Sequence, residues 1–165
     1  MGEVTAGTDS KRMPGRALGV DLGSVRIGIA LSDPTRTVAS PHLVLPRSRA
    51  GRAADHRAIA EMVGAEEVTV VVVGLPLSLT GASGPAARAA EAEIAEIKAA
   101  VGPGVEVVAH DERLTTISAE RSLGDARMSR AQRREVVDKV AAAVMLQSWL
   151  DGSPLRRPTV KSNRR

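Results

Sequence analysis

The 165-residue chain contains no cysteine, no phenylalanine and no tyrosine, and Trp149 is its one large aromatic side chain. Without cysteine, thiol catalysis, Cys-ligated zinc, iron–sulfur clusters and a disulfide scaffold are excluded, and the composition suits a cytoplasmic setting. Without a row of rings there is no platform on which unpaired bases could stack, which argues against an RRM- or OB-type reader of single strands. Long apolar runs are missing too. The longest, residues 68–75, is broken by Thr69 and Gly74 and falls far short of the roughly 20 residues that span a bilayer. Residues 1–16 are polar and carry Glu3 and Asp9, so they lack the apolar centre of a secretion signal and read as a flexible arm.

What is present is the balance of one soluble globular domain, with 43% hydrophobic and 25% charged residues. A chain of this length buries about two thirds of its unfolded surface and needs no structural metal to fold. The net charge of +4 is unevenly placed: Arg156, Arg157, Lys161, Arg164 and Arg165 fall in the last ten residues, and the body between Ala17 and Leu155 is slightly acidic. That distribution suits a body holding a carboxylate site, residues 17–150, and a flexible basic tail, residues 151–165, that attracts phosphate backbone; a merely solubilising tail accounts for it equally well.

Residues 17–22 and 26–32 are short apolar runs separated by Gly23 and Ser24, the pattern of a hairpin, and Asp33 with Pro34 ends the second run in a turn. Residues 37–45 fit a third strand, which Pro41 places at a sheet edge. Helical spacing of Ala54, Ala58, Ile59, Met62 and Val63 predicts a helix over 51–64. Residues 68–75 read as a strand buried on both faces. A Pro/Gly/Ser/Thr-rich loop over 75–85, a helix over 86–101, a strand over 105–110, a short helix from Thr115 and Thr116 to about Leu123 and a last helix from Ser129 to about Leu150 complete the order. A β-meander followed by alternating helices and strands is a three-layer mixed α/β domain.

Three acids occupy positions where the pattern calls for an apolar or small residue. Asp21 lies inside the first strand on the side of Ala17, Gly19 and Gly23. A charge there requires either a cation or a paired arginine such as Arg26. The strand over 105–110 delivers Asp111 and Glu112 at its C-terminal end, and alternation allows only one of them to face a given site. Asp138 shares its helix face with Ala142, Met145 and Trp149, the stripe that should pack on the sheet; the plainer reading is a surface residue beside Lys139. Clustered carboxylates suit hard cations such as Mg²⁺ or Mn²⁺, and two such ions about 4 Å apart activate water against a phosphodiester. Without cations the same acids repel, so Asp138→Asn is expected to stabilise the metal-free protein. His42, His56 and His110 are far apart and read as ordinary surface or core residues, His110 standing out because it shares a strand face with Glu112. No GxGxxG or GK[ST] sequence is present for a dinucleotide or P-loop site.

Four segments carry a family resemblance: Gly19-Val20-Asp21-Leu22-Gly23-Ser24 continuing through Arg26-Ile27-Gly28-Ile29-Ala30 to Ser32-Asp33; Val73-Gly74-Leu75-Pro76-Leu77 with Gly81; Asp111-Glu112-Arg113-Leu114-Thr115-Thr116; and Asp138-Lys139-Val140-Ala141-Ala142. In this order and spacing they resemble the YqgF/RuvX family. The resemblance implies an RNase H-like fold and a metal-dependent nuclease that hydrolyses phosphodiesters in structured nucleic acid. Its substrate would be either the 5′ end of precursor 16S rRNA in ribosome biogenesis or a Holliday junction in DNA recombination and repair. It further implies that Asp21, Glu112 and Asp138 are the metal-binding acids, with Mg²⁺ or Mn²⁺ as cofactor and two ions expected. Under this reading Arg26, Arg113, Lys139, Arg156 and Arg157 contact nucleic acid, and symmetric cutting of a junction would call for a homodimer. Two other classes compete: an actin-like ATP-binding or phosphotransfer domain, for which Asp-Leu-Gly-Ser would be the phosphate hairpin, and a non-catalytic nucleic-acid-binding protein. The first normally needs two such domains, and the second leaves the three acids unexplained.

Overall fold

A computed structural model describes residues 14–76, 84–111 and 129–152. Strands β1 (Arg16–Leu22), β2 (Arg26–Ser32) and β3 (Ala39–Pro46) form an antiparallel meander. Helix α1 (Arg52–Ala65) leads to β4 (Val68–Leu75), and helix α2 (Pro85–Val101) leads to β5 (Glu106–Asp111). Both β4 and β5 run parallel in the sheet, β4 beside β1, and the order across it is β3-β2-β1-β4-β5. Helix α3 (Arg130–Gly152) closes the described chain. This is the expected RNase H-like arrangement, a mixed sheet between two helical layers. Among the described residues no helix is long and apolar enough to cross a membrane.

Alternation along the strands divides the core into two layers. Leu18, Val20, Ile27, Ile29, Val71 and Val73 face α1 and α2, where Ile59, Val63 and Ile97 meet them. Ala17, Ala30, Val70 and Val72 face α3, where they meet Ala142, Met145, Leu146 and Leu150. The valine-rich β4 therefore serves both layers, as its continuous apolarity requires. Each fully buried aliphatic side chain of this kind contributes about 1.5–3 kcal/mol. On the α3 side the sheet is lined with small residues, so the helix sits close: a Cβ added to Gly19 would come within 2.9 Å of the Leu146 Cβ.

Element ends follow local chemistry. At the start of α3, Ser129 Oγ accepts from the Gln132 N–H and Gln132 Oε1 accepts from the Ser129 N–H, a reciprocal capping box. Gly102 ends α2 at φ 84°, a conformation that favours glycine. The third strand starts at Ala39, two residues later than its sequence predicts. Asp33 is the reason: its Oδ1 accepts the backbone N–H groups of Thr37 and Val38 at 2.7 Å, and its Oδ2 takes the Thr35 N–H and hydroxyl. The backbone donors that would begin the ladder are spent on this turn. Pro41 sits on β3, which is the edge strand, as expected.

Two carboxylates make the fold sensitive to acid. Burial alone would raise Asp33, but the bonds from Thr35, Val38 and Thr37 outweigh it and lower its pKa from 3.8 to about 2. Burial likewise opposes the shift of Glu93, yet bonds from Arg47 and His56 bring it below its usual 4.5. Each group binds fewer protons folded than unfolded, so their contribution is complete above about pH 4.5; that of Glu93 is lost as pH falls below this range and that of Asp33 as pH falls toward 2. Urea melts at pH 6, 4 and 3 should show falling stability across this window; Asp33→Asn combined with Glu93→Gln should flatten the decline, and an unchanged slope would remove these two acids as its source.

Candidate active site

Alternation places Asp21 on the α3 face of β1, in line with Ala17 and Gly19. Its cross-strand partner is Gly28 of β2, about 5 Å away between α-carbons. Gly28 lies directly beneath α3: a Cβ there would overlap the Asp138 carbonyl and come 3.4 Å from the Ala142 Cβ. Asp21 and Asp138 therefore stand over the same spot of the sheet, one on a central strand and one on the covering helix. The missing Cβ of that glycine is what lets the α3 backbone come this close to the sheet.

Asp138 shares its face with Ala142 and Met145, which are 0% and 2% exposed, so its helix is not rotated toward solvent. The carboxylate itself is 30% exposed, and its Oδ2 accepts from Arg26 Nε at 2.6 Å. Arg26 stands at the first position of β2, on the same sheet face as Gly28 and Ala30. This pair overturns one expectation. With a guanidinium already neutralising Asp138, removing its charge costs a charge-assisted bond instead of relieving repulsion. Asp138→Asn should lower the stability of the metal-free protein by about 1 kcal/mol, a value reduced for partial exposure; thermal melts in EDTA read the sign directly, and a higher midpoint would restore the repulsion reading.

At the other side of β1, Val20 pairs with Val73, and the next residue of β4, Gly74, pairs with His110 of β5. The His110 Nε2 lies 3.2 Å from Ser148 Oγ on α3, and burial depresses its pKa, opposed in part by Asp111. His110 thus faces α3. Asp111 has the opposite parity, that of Val107 in the α1/α2 layer, and is turned away from the Asp21 row. Glu112, Arg113, Arg156 and Arg157 lie outside the described residues, as do the N-terminal arm up to Met13, the loop over 77–83 and the short helix expected from Thr115. Lys139 is half-buried, next to Asp138 on α3.

A second charged cluster was not anticipated. On the α1/α2 side, Asp55, His56 and Glu93 are 5%, 4% and 6% exposed. Arg47 joins them: its Nη1 bonds Asp55 Oδ2 at 3.3 Å and Glu93 Oε1, and its Nη2 bonds Glu93 Oε2 at 3.2 Å. His56 Nε2 is 3.2 Å from Glu93 Oε1. The signal was available: Asp55 and His56 share a stripe with Ile59 and Val63, and Glu93 lies between Ala90 and Ile97 on its own. The same signal, a charged residue on an apolar stripe, marks Asp138 on α3.

Comparison with known proteins gives the same reading as the fold. A family model described as "RuvX: Holliday junction resolvase" matches residues 15–152. A protein of Nocardia farcinica named "Putative pre-16S rRNA nuclease" is 44% identical over 141 residues, covering 83% of this chain and 78% of its own. One of the same name from Halalkalibacterium halodurans is 43% identical over 141 residues, covering 86% of this chain and 99% of its own. Among solved structures, Fowlpox virus resolvase bound to Holliday junction DNA is similar with a TM-score of 0.49 at 10% identity, covering 82% of this chain and 97% of that one. With the matched model spanning all three described segments almost completely, the chain belongs to the RuvX family of nucleases.

Proposed function

We propose that the chain hydrolyses phosphodiester bonds in structured nucleic acid at a site built on Asp21, Asp138 and Glu112, with Mg²⁺ or Mn²⁺, two ions in all, as cofactor. The observation that carries this reading is the placement of Asp21 and Asp138 over Gly28 on one sheet face. Their donors are carboxylate oxygens only, the set that hard divalent cations prefer. Among the described residues no three His, Asp or Glu side chains gather closely enough to hold an ion, so the third donor is assigned to Glu112. Bound there, divalent ions would lower the pKa of a water and offset charge on the leaving oxygen. The chain's own contribution is positional. Arg26 fixes the direction of the Asp138 carboxylate, the strand fixes Asp21, and the missing Cβ of Gly28 lets α3 approach β2 closely enough to carry Asp138 over that side of the sheet. Lys139 and Arg113 hold flanking phosphates, and Arg156 and Arg157 add affinity without sequence preference.

The substrate proposed first is a precursor of 16S rRNA, because the relatives at 43–44% identity carry that name. The absence of Phe and Tyr suits recognition by shape and backbone. A side-by-side cleavage assay with Mg²⁺ and with Mn²⁺, on a 5′-extended 16S precursor and on a four-way DNA junction, tests it. Faster cleavage of the precursor is expected. Preference for the junction would move the substrate to DNA, and no cleavage of either would remove the nuclease reading.

A further inference from the structure

The buried charges on the α1/α2 side have no place in the site described so far, and the residue they hold is Arg47. It follows β3 directly and makes two bonds to the loop joining β1 and β2. Its backbone N–H donates to the Val25 carbonyl at 2.9 Å, and its Nε donates to the Gly23 carbonyl at 2.9 Å. The remaining guanidinium N–H groups reach Asp55 of α1 and Glu93 of α2. The loop is tight: the Gly23 N–H bonds the Asp21 carbonyl at 3.1 Å, and a Cβ on Gly23 would overlap the Arg26 carbonyl. Asp21, next to last in β1, and Arg26, first in β2, thus flank a loop that Arg47 grips from the opposite face of the sheet.

We infer that Arg47 is a positioning residue for the nuclease site: anchored in the Asp55–Glu93–His56 cluster, it clamps the β1–β2 loop and so fixes Asp21 relative to the Arg26–Asp138 pair. The inference rests on the reading of Asp21 as a metal ligand. Three features support it. The cluster is almost fully buried and complete, with no buried side-chain polar atom unpaired among the described residues. Only arginine can serve both ends, because its five donors form a rigid fork whereas lysine offers one ammonium. Burial works against the charge of Arg47, yet its bonds to the Glu93 and Asp55 carboxylates prevail and raise its pKa, so the fork stays charged.

Arg47→Lys separates positioning from stability, because it keeps a cation beside Asp55 and Glu93 and cannot also hold Gly23. Arg52→Ala is the control: Arg52 is half-exposed and touches the same cluster through Glu93 at 3.9 Å and Glu96 at 3.6 Å, with no bond to the loop. Four readouts apply to both, alongside Asp21→Asn: thermal midpoint, Mn²⁺ affinity by titration calorimetry, kcat, and KM. Arg47→Lys should lower kcat and Mn²⁺ affinity by about 10- to 100-fold with KM within about twofold, the range seen when a ligand's supporting partner is removed. Arg52→Ala should leave kcat and Mn²⁺ affinity unchanged. The inference is overturned if Arg47→Lys retains both kcat and Mn²⁺ affinity while Asp21→Asn loses them, or if both variants lose kcat in proportion to their loss of thermal midpoint. Retention of Mn²⁺ binding and cleavage by Asp21→Asn would instead overturn the reading of the site itself. If Arg47→Lys does not fold, Glu93→Gln, which removes the charged two-oxygen anchor of the fork, replaces it with the same expected drop in kcat and the same overturning result.

Discussion

Asp21→Asn is expected to lower the cleavage rate at saturating substrate by about a thousandfold or more while leaving nucleic-acid affinity in EDTA equal or higher. The change keeps size and shape on a central strand whose α3 face is otherwise small and apolar. It removes one of the anionic oxygens assigned to the cations. A thousandfold corresponds to about 4 kcal/mol of barrier, within the several kcal/mol that metal-centred charge stabilisation supplies. Affinity should move the other way because a negative charge facing phosphate is lost. Rate and affinity falling together would mean that Asp21 organises the substrate-binding surface instead of the reaction. Tight ATP binding by the pure chain would revive the actin-like alternative. A stopped assay with labelled substrate at several concentrations, together with binding in EDTA, distinguishes these outcomes.

What could be read from the sequence depended on whether a signal was local. The five strands and three described helices follow from apolar runs, their period and their end residues, so they appear within two residues of their predicted bounds. The late start of β3 could not be read that way, because it depends on how Asp33 distributes its two oxygens among three downstream residues. Asp21 and Asp138 were legible as acids out of place, and the structure places them over one glycine. Their partner Arg26 was legible only as a nearby cation: which acid it serves depends on where α3 crosses β2, a separation of 112 residues in sequence. The side of β5 on which Asp111 falls depends on strand parity, which becomes readable only once the α3 face of that strand is known. The Arg47 cluster joins residues 46 positions apart, so its members show individually as charges on apolar stripes while their common purpose does not.

Gly28→Ala should be the most damaging single-methyl change on the α3 face of the sheet. Gly28 pairs with Asp21 on one side, and on its face it meets α3, where the new Cβ would overlap the Asp138 carbonyl oxygen and stand 2.8 Å from the carbonyl carbon. Both atoms belong to helix backbone, so no rotamer change relieves the clash; the helix must lift. Lifting it loosens Ala142 and Leu146 from the sheet and moves the Asp138 carboxylate away from Arg26 and Asp21. Overpacking of this kind costs about 3 kcal/mol, the upper end of its usual range, because the obstacle is rigid. A shift of about 1 Å at a metal ligand should also cost about a hundredfold in rate. Gly64→Ala is the matching control, since that glycine lies within α1 with nothing inside 4 Å of an added Cβ and should gain about 0.5–1 kcal/mol from helix propensity. Urea unfolding of both variants, with cleavage measured well below either midpoint, tests the packing and the site together. If Gly28→Ala proved as benign as Gly64→Ala, α3 could not sit where its carbonyl touches β2, and the case for Asp138 facing Asp21 would go with it.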